Sequence, residues 1–94
     1  MTIEEELRLL LGAYYGIQSM DEYDTKEFIL RDVEQQINAF QKINHFENID
    51  EIVSSVKESV ELKTKLQDSL ILLNRINGPM DLILLIKKKL KETS

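Results

Sequence analysis

The chain has 94 residues, 17 of them acidic and 12 basic, for a net charge of −5, which is one domain, 1–94, with a single modest core. It contains no cysteine, excluding disulfides and thiolate metal sites. Its longest unbroken apolar run is the five residues Leu82–Ile86, short of the roughly twenty a membrane span requires.

From the N-terminus, Thr2 and Glu5 have the spacing of a capping box, and Glu4, Glu5 and Glu6 occupy a first turn where the helix dipole favours negative charge. The first helix is expected over 2–18. Turned by about 100° per residue, Ile3, Leu7, Leu10, Leu11, Tyr14 and Ile17 form its core face, while Leu9, Gly12, Ala13 and Gly16 form a small, flat second strip. Two readings of that strip stand side by side. Glycines four apart let another helix come near, so Leu9, Gly12 and Gly16 are candidate partner-binding positions; alternatively, Gly16 simply ends the helix.

Ser19 to Asp24 reads as a loop. Its acids, Asp21, Glu22 and Asp24, lack the alternating oxygen ligands and the turn glycine of a calcium loop, so no metal is expected. Asp24 and Glu27 repeat the capping-box spacing and open a second helix over 24–45, with Ile29, Leu30, Val33, Ile37, Phe40 and Ile43 as its apolar face. Phe46 is placed to cover that end of the core. His45, the single histidine, sits near a helix C-terminus, where the dipole favours its charged form. No nucleophile, acid or metal partner for it is identifiable from spacing.

Asn48 to Asn77 contains neither proline nor glycine and reads as one long third helix, opened by Asn48 with Glu51 and closed by Asn77-Gly78-Pro79. Such a helix would be roughly 43 Å long, in a domain whose expected radius of gyration is about 13 Å. Its apolar stripe also changes direction. Ile49, Ile52, Val53, Val56 and Val60 share one face, whereas Leu62, Leu66, Leu70, Leu73 and Ile76 share another rotated by roughly 110°. Ser54, Ser55 and Ser59 precede the change, and a break there is the alternative to a continuous helix.

A last helix is expected over 79–92, with Leu82, Ile83, Ile86 and Leu90 on its core face. Met80, Leu84 and Leu85 fall off that face, as Ile71 and Leu72 fall off theirs. Residues 70–86 hold eleven apolar side chains, more than one buried face of a two-helix hairpin can cover. The surplus makes Ile71, Leu72, Met80, Leu84 and Leu85 candidate partner-binding residues, for a second copy or another protein. Lys87, Lys88, Lys89 and Lys91 suit a helix C-terminus; without interleaved aromatics they make a poor nucleic-acid surface.

The expected fold is all-α, a small up-down bundle of four helices built on the long third one. The second helix packs on the first half of the third through Val33, Ile37 and Phe40 against Ile52, Val56 and Val60. The last covers its second half, and the first fills what remains. Residues 1–50 carry 11 acids and 4 bases and residues 51–94 carry 6 and 8, so the acidic half opposes nonspecific nucleic-acid binding. With no paired carboxylates, activated nucleophile or phosphate loop, no enzyme chemistry and no cofactor are expected. The leading expectation is a cytoplasmic, non-enzymatic protein-interaction module, an adaptor or regulator of a bacterium or phage acting on a larger protein. The alternatives are a cytoplasmic bacteriocin immunity protein and a small helical protein associated with nucleic acid.

Overall fold

The structure, a computed structural model, describes residues 2–21 and 26–93. Among these, five helices follow one another: α1 (Ile3–Gln18), α2 (Lys26–Ile43), α3 (Ile49–Glu58), α4 (Leu62–Arg75) and α5 (Met80–Thr93). The fold is all-helical, and the expected single third helix is two helices.

The break has a local cause. Ser59 adopts an extended conformation with ψ 132°, and its hydroxyl accepts the Glu61 N–H at 3.2 Å. This is the competition between a serine side chain and the helical ladder. The next amide, Leu62 N–H, bonds back only two residues to the Val60 carbonyl at 2.9 Å. Lys65, reaching back from α4, donates through Nζ to the carbonyls of Lys57 at 3.3 Å and Ser59 at 2.7 Å, so carbonyls left open at the end of α3 are satisfied by a cation. The kink relieves the mismatch of the two stripes, since each half aims its apolar face separately. It also removes the length problem: the longest dimension of the chain is 36 Å and its radius of gyration 12.9 Å.

Val60 illustrates the correction. Expected on a buried stripe, it sits in the break and is 96% exposed. Val56 is half-buried against the core, and the fully buried residue of α3 is Ile52.

The packing order also differs from expectation. The most extensive helix contact is that of α1 with α4; α1 also carries α2 and α3, while α5 packs on α4. The first helix is thus the hub instead of a filler, and α2 rests on α1 rather than on α3. The core joins Leu7, Leu10 and Ile17 of α1 to Val33 and Ile37 of α2, Ile52 of α3, Leu66, Leu72 and Leu73 of α4, and Leu82, Ile83 and Ile86 of α5. Phe46 packs on this core beside Phe40, with ring centroids 5.9 Å apart. Ile3 and Ile43, expected inside, are exposed.

Two expected helix signals are present and one is absent. The capping box at α1 is formed: Glu5 N–H donates to Thr2 Oγ1 at 3.1 Å and Thr2 N–H to Glu5 Oε1 at 3.3 Å, and these hydrogen bonds hold the Glu5 carboxyl below its ordinary value. At the end of α4, Gly78 N–H reaches the Leu73 carbonyl at 2.8 Å, the 6→1 bond of a Schellman motif. Asn77 rather than Gly78 takes the left-handed conformation there, with φ 52°. Gly78 serves a different need: a Cβ on it would stand 2.6 Å from Leu73 Cδ2. Asn48, by contrast, makes no side-chain capping bond at α3. The expected Asp24–Glu27 box lies outside the described residues.

Candidate functional site

The candidate residues divide sharply. Ile71, Met80, Leu84 and Leu85 are 46%, 63%, 56% and 43% exposed, while Leu72 is 2% exposed. Leu72 therefore belongs to the protein's own core and is removed from the candidate surface. The other four are exposed positions of the two helices of the C-terminal hairpin, Ile71 on α4 and Met80, Leu84 and Leu85 on α5. They are half of the eight exposed large hydrophobics among the described residues, the rest being Ile3, Phe28, Ile43 and Val60, spread over the other elements. The reason for the exposure is topological: α5 is a peripheral helix whose packing is directed to α4, so only the side carrying Leu82, Ile83 and Ile86 is covered.

Beside the turn of this hairpin, α2 and the α4–α5 connection diverge. They leave an open groove of about 660 Å³ whose lining includes Ile29, Asp32, Gln36, Ile76 and Pro79. It joins apolar walls to neutral polar groups and holds no cluster of ionisable side chains.

The strip on α1 goes the other way. Leu9, Gly12 and Gly16 are all buried, so none is available on the surface of the folded chain. Gly16 does not end the helix, which continues to Gln18. The glycines do allow a close helix approach, and the approaching helix is the chain's own α4. A Cβ on Gly16 would overlap the Ser69 hydroxyl and the Lys65 carbonyl, and one on Gly12 would overlap the Asp68 carboxylate. Ser69, fully buried, shares its one hydroxyl proton between the carbonyls of Ala13 at 3.1 Å and Lys65 at 2.8 Å, linking the two helices beside Gly16. Arg75 with Glu6 at 2.6 Å ties the far ends of the same pair, though a half-exposed pair adds little.

Asp68 was not singled out from the sequence. It lies half-buried on the α1 side of α4, against Gly12, and burial pushes its carboxyl up to about 6. The available signal was its position on the helix wheel, where it follows Lys65 and precedes Leu72 on the same side.

Elsewhere, Lys89 donates to the Ser19 carbonyl at 3.1 Å, so part of the basic run caps the end of α1. His45 is exposed, and among the described residues no three metal-ligating side chains come together. No helix of the described residues is long and apolar enough to cross a membrane. Comparison of the chain with family models, with curated proteins and with solved structures finds no match.

Proposed function

We propose that this chain is a non-enzymatic protein-interaction module that presents the outer side of its C-terminal hairpin, Ile71, Met80, Leu84 and Leu85, to another protein or to a second copy of itself. The observation that supports this is the concentration of exposed large apolar side chains on one hairpin. Single exposed leucines are ordinary on a surface, whereas apolar side chains gathered on one element favour a binding role. Because α4 and α5 are anchored in the core by Leu66, Leu72, Leu73 and Ile86, the exposed residues sit on rigid supports, which limits the ordering cost of binding. An adaptor or regulator acting by association needs no more than this.

The test compares wild type with Leu84→Lys/Leu85→Lys, in sedimentation for self-association and in capture from host extract. Association that is present in wild type and lost in the variant, with the helical circular dichroism unchanged, supports the reading. Equal binding by both proteins sinks it.

A further inference from the structure

Between α1, α3 and the start of α4 lies a second, smaller groove of about 190 Å³, lined by Arg8, Gly12, Ser55, Glu61, Thr64 and Asp68 among others. Its electrostatics are unusual in one respect. Both cations beside it are already engaged: Arg8 Nε donates to Glu4 Oε2 at 3.2 Å and its NH1 to Ser55 Oγ at 3.4 Å, while Lys65 Nζ holds the Lys57 and Ser59 carbonyls. Thr64 donates to Glu61 Oε2 at 3.2 Å. Asp68 makes no hydrogen bond or ion pair with the described residues. Its carboxylate instead occupies the space that the missing side chain of Gly12 leaves open.

A half-buried carboxylate without a donor from the protein is partly desolvated, and a donor of opposite charge offsets that cost. The space is smaller than the roughly 300–1,000 Å³ typical of small-molecule pockets, and suits one side-chain-sized group. Its remaining acceptors, the Glu61 carboxylate and the Ser55 and Thr64 hydroxyls, favour a planar donor with several N–H groups over a compact ammonium. A guanidinium also loses less hydration on entering.

We propose that this groove is a binding site for one guanidinium group, with Asp68 as its anionic anchor and Glu61 as a second acceptor at the rim. The site stands independently of whether the C-terminal hairpin binds a protein, since different side chains carry it. The charged groups facing it are Arg8 from α1 and Glu61 and Lys65 from the start of α4; α3 contributes Ser55, Val56 and Ser59, which carry no charge.

The experiment follows the amide resonances of Gly12, Thr64 and Asp68 by NMR. The titrants are ethylguanidinium, N-acetylarginine amide and, as the neutral isostere, ethylurea. Both cations are expected to shift these amides and the urea to leave them in place. Since burial raises the carboxyl to about 6, it is mostly protonated at about pH 5 and mostly ionised at about pH 7.5, so binding should tighten about tenfold across that interval. Asp68→Asn, which keeps shape and removes charge, should abolish the shifts with circular dichroism retained, and Glu61→Gln should weaken them. Tighter binding of the capped arginine than of ethylguanidinium assigns the site to an arginine presented by a protein; the reverse assigns it to a free small cation. Three results overturn the proposal: shifts that survive in Asp68→Asn, shifts equal with the urea, or shifts absent in wild type that appear only in Arg8→Ala. The last would mean that the chain's own Arg8 fills the groove.

Discussion

The strip on α1 and the outer side of the C-terminal hairpin look alike as sequence: each is a set of apolar or small residues lying off the main stripe of its helix. In the folded chain they meet opposite fates. Leu9, Gly12 and Gly16 are buried, because α1 is the helix on which α2, α3 and α4 rest. Met80, Leu84 and Leu85 stay in water because α5 lies at the edge and packs on α4. Periodicity reports how many faces of a helix are apolar; whether a second face is buried internally or left for a partner depends on how many neighbours the topology gives that helix.

The largest expected effect comes from the residue that crossed from one class to the other. Leu72 shares the hairpin with Leu84 and Leu85 and is 2% exposed. Leu72→Ala should cost about 2–5 kcal/mol through lost transfer energy and the cavity left behind, a large part of the roughly 5–15 available to a small domain. Urea denaturation measures it. A loss below about 1 kcal/mol would place Leu72 back on the surface.

The α1 strip is tested more finely by its two glycines. Gly16→Ala puts a methyl into the Lys65 carbonyl, a backbone atom that moves only if α4 moves, and overpacking of this kind costs about 1–3 kcal/mol. The nearest atoms that Gly12→Ala meets are those of the Asp68 side chain, which can rotate away, and it regains up to about 1 kcal/mol of helix propensity. The midpoints of the two variants should therefore move in different degrees, Gly16→Ala downward and Gly12→Ala little. Equal losses would mean that the strip is not a close helix contact.

How much of this was readable beforehand depends on the range of the interaction. The capping box of Thr2 and Glu5, the hinge at Asn77-Gly78-Pro79 and the core faces through Leu7, Val33, Leu66 and Ile86 rest on neighbours within a turn or two, and all appear in the structure. The break at Ser59 was half-legible. The rotation of the stripe announced it, but Lys65 as the group that satisfies the end of α3 acts from the far side of the break, where no periodicity points. The central position of α1 and the burial of Asp68 against Gly12 were not legible, because both arise from contacts some fifty or more residues apart, such as Ser69 with Ala13.

Asp68 supplies the next smaller effect on the same α1–α4 contact. Its folded-state pKa, about 6, is raised above the ordinary 3.8 by burial, so the folded chain holds this proton more tightly than the unfolded one. The contribution of the group to stability is therefore full below pH 3.8 and is lost as pH rises through about 6. Asp68→Asn should be more stable than wild type at neutral pH, with the difference shrinking as the pH falls toward 3.8. Thermal melts across that range check it. A constant difference at all pH values would mean that the carboxylate is not desolvated by α1.

The smallest expected effect is the most decisive for the comparison, because the hairpin reading requires its exposed leucines to be nearly irrelevant to folding. Leu84 and Leu85 are already about half in water, and lysine and glutamate have helix propensities close to that of leucine. Charge context then sets the sign. Leu84→Lys/Leu85→Lys places each new cation four residues before Lys88 and Lys89, and like-charge pairs at that spacing cost about 0.2–0.5 kcal/mol apiece. Leu84→Glu/Leu85→Glu places an acid in the favourable N-terminal position of the same two pairs and gains a similar amount. Both double variants should thus melt close to wild type, with the glutamate form slightly above the lysine form, and both should lose whatever association the apolar surface supports. Loss of binding that follows the sign of the charge instead would assign the contact to electrostatics. A fall in stability comparable to that of Leu72→Ala in both variants would show that the two leucines are core after all, and the hairpin would then be no more open than the strip on α1.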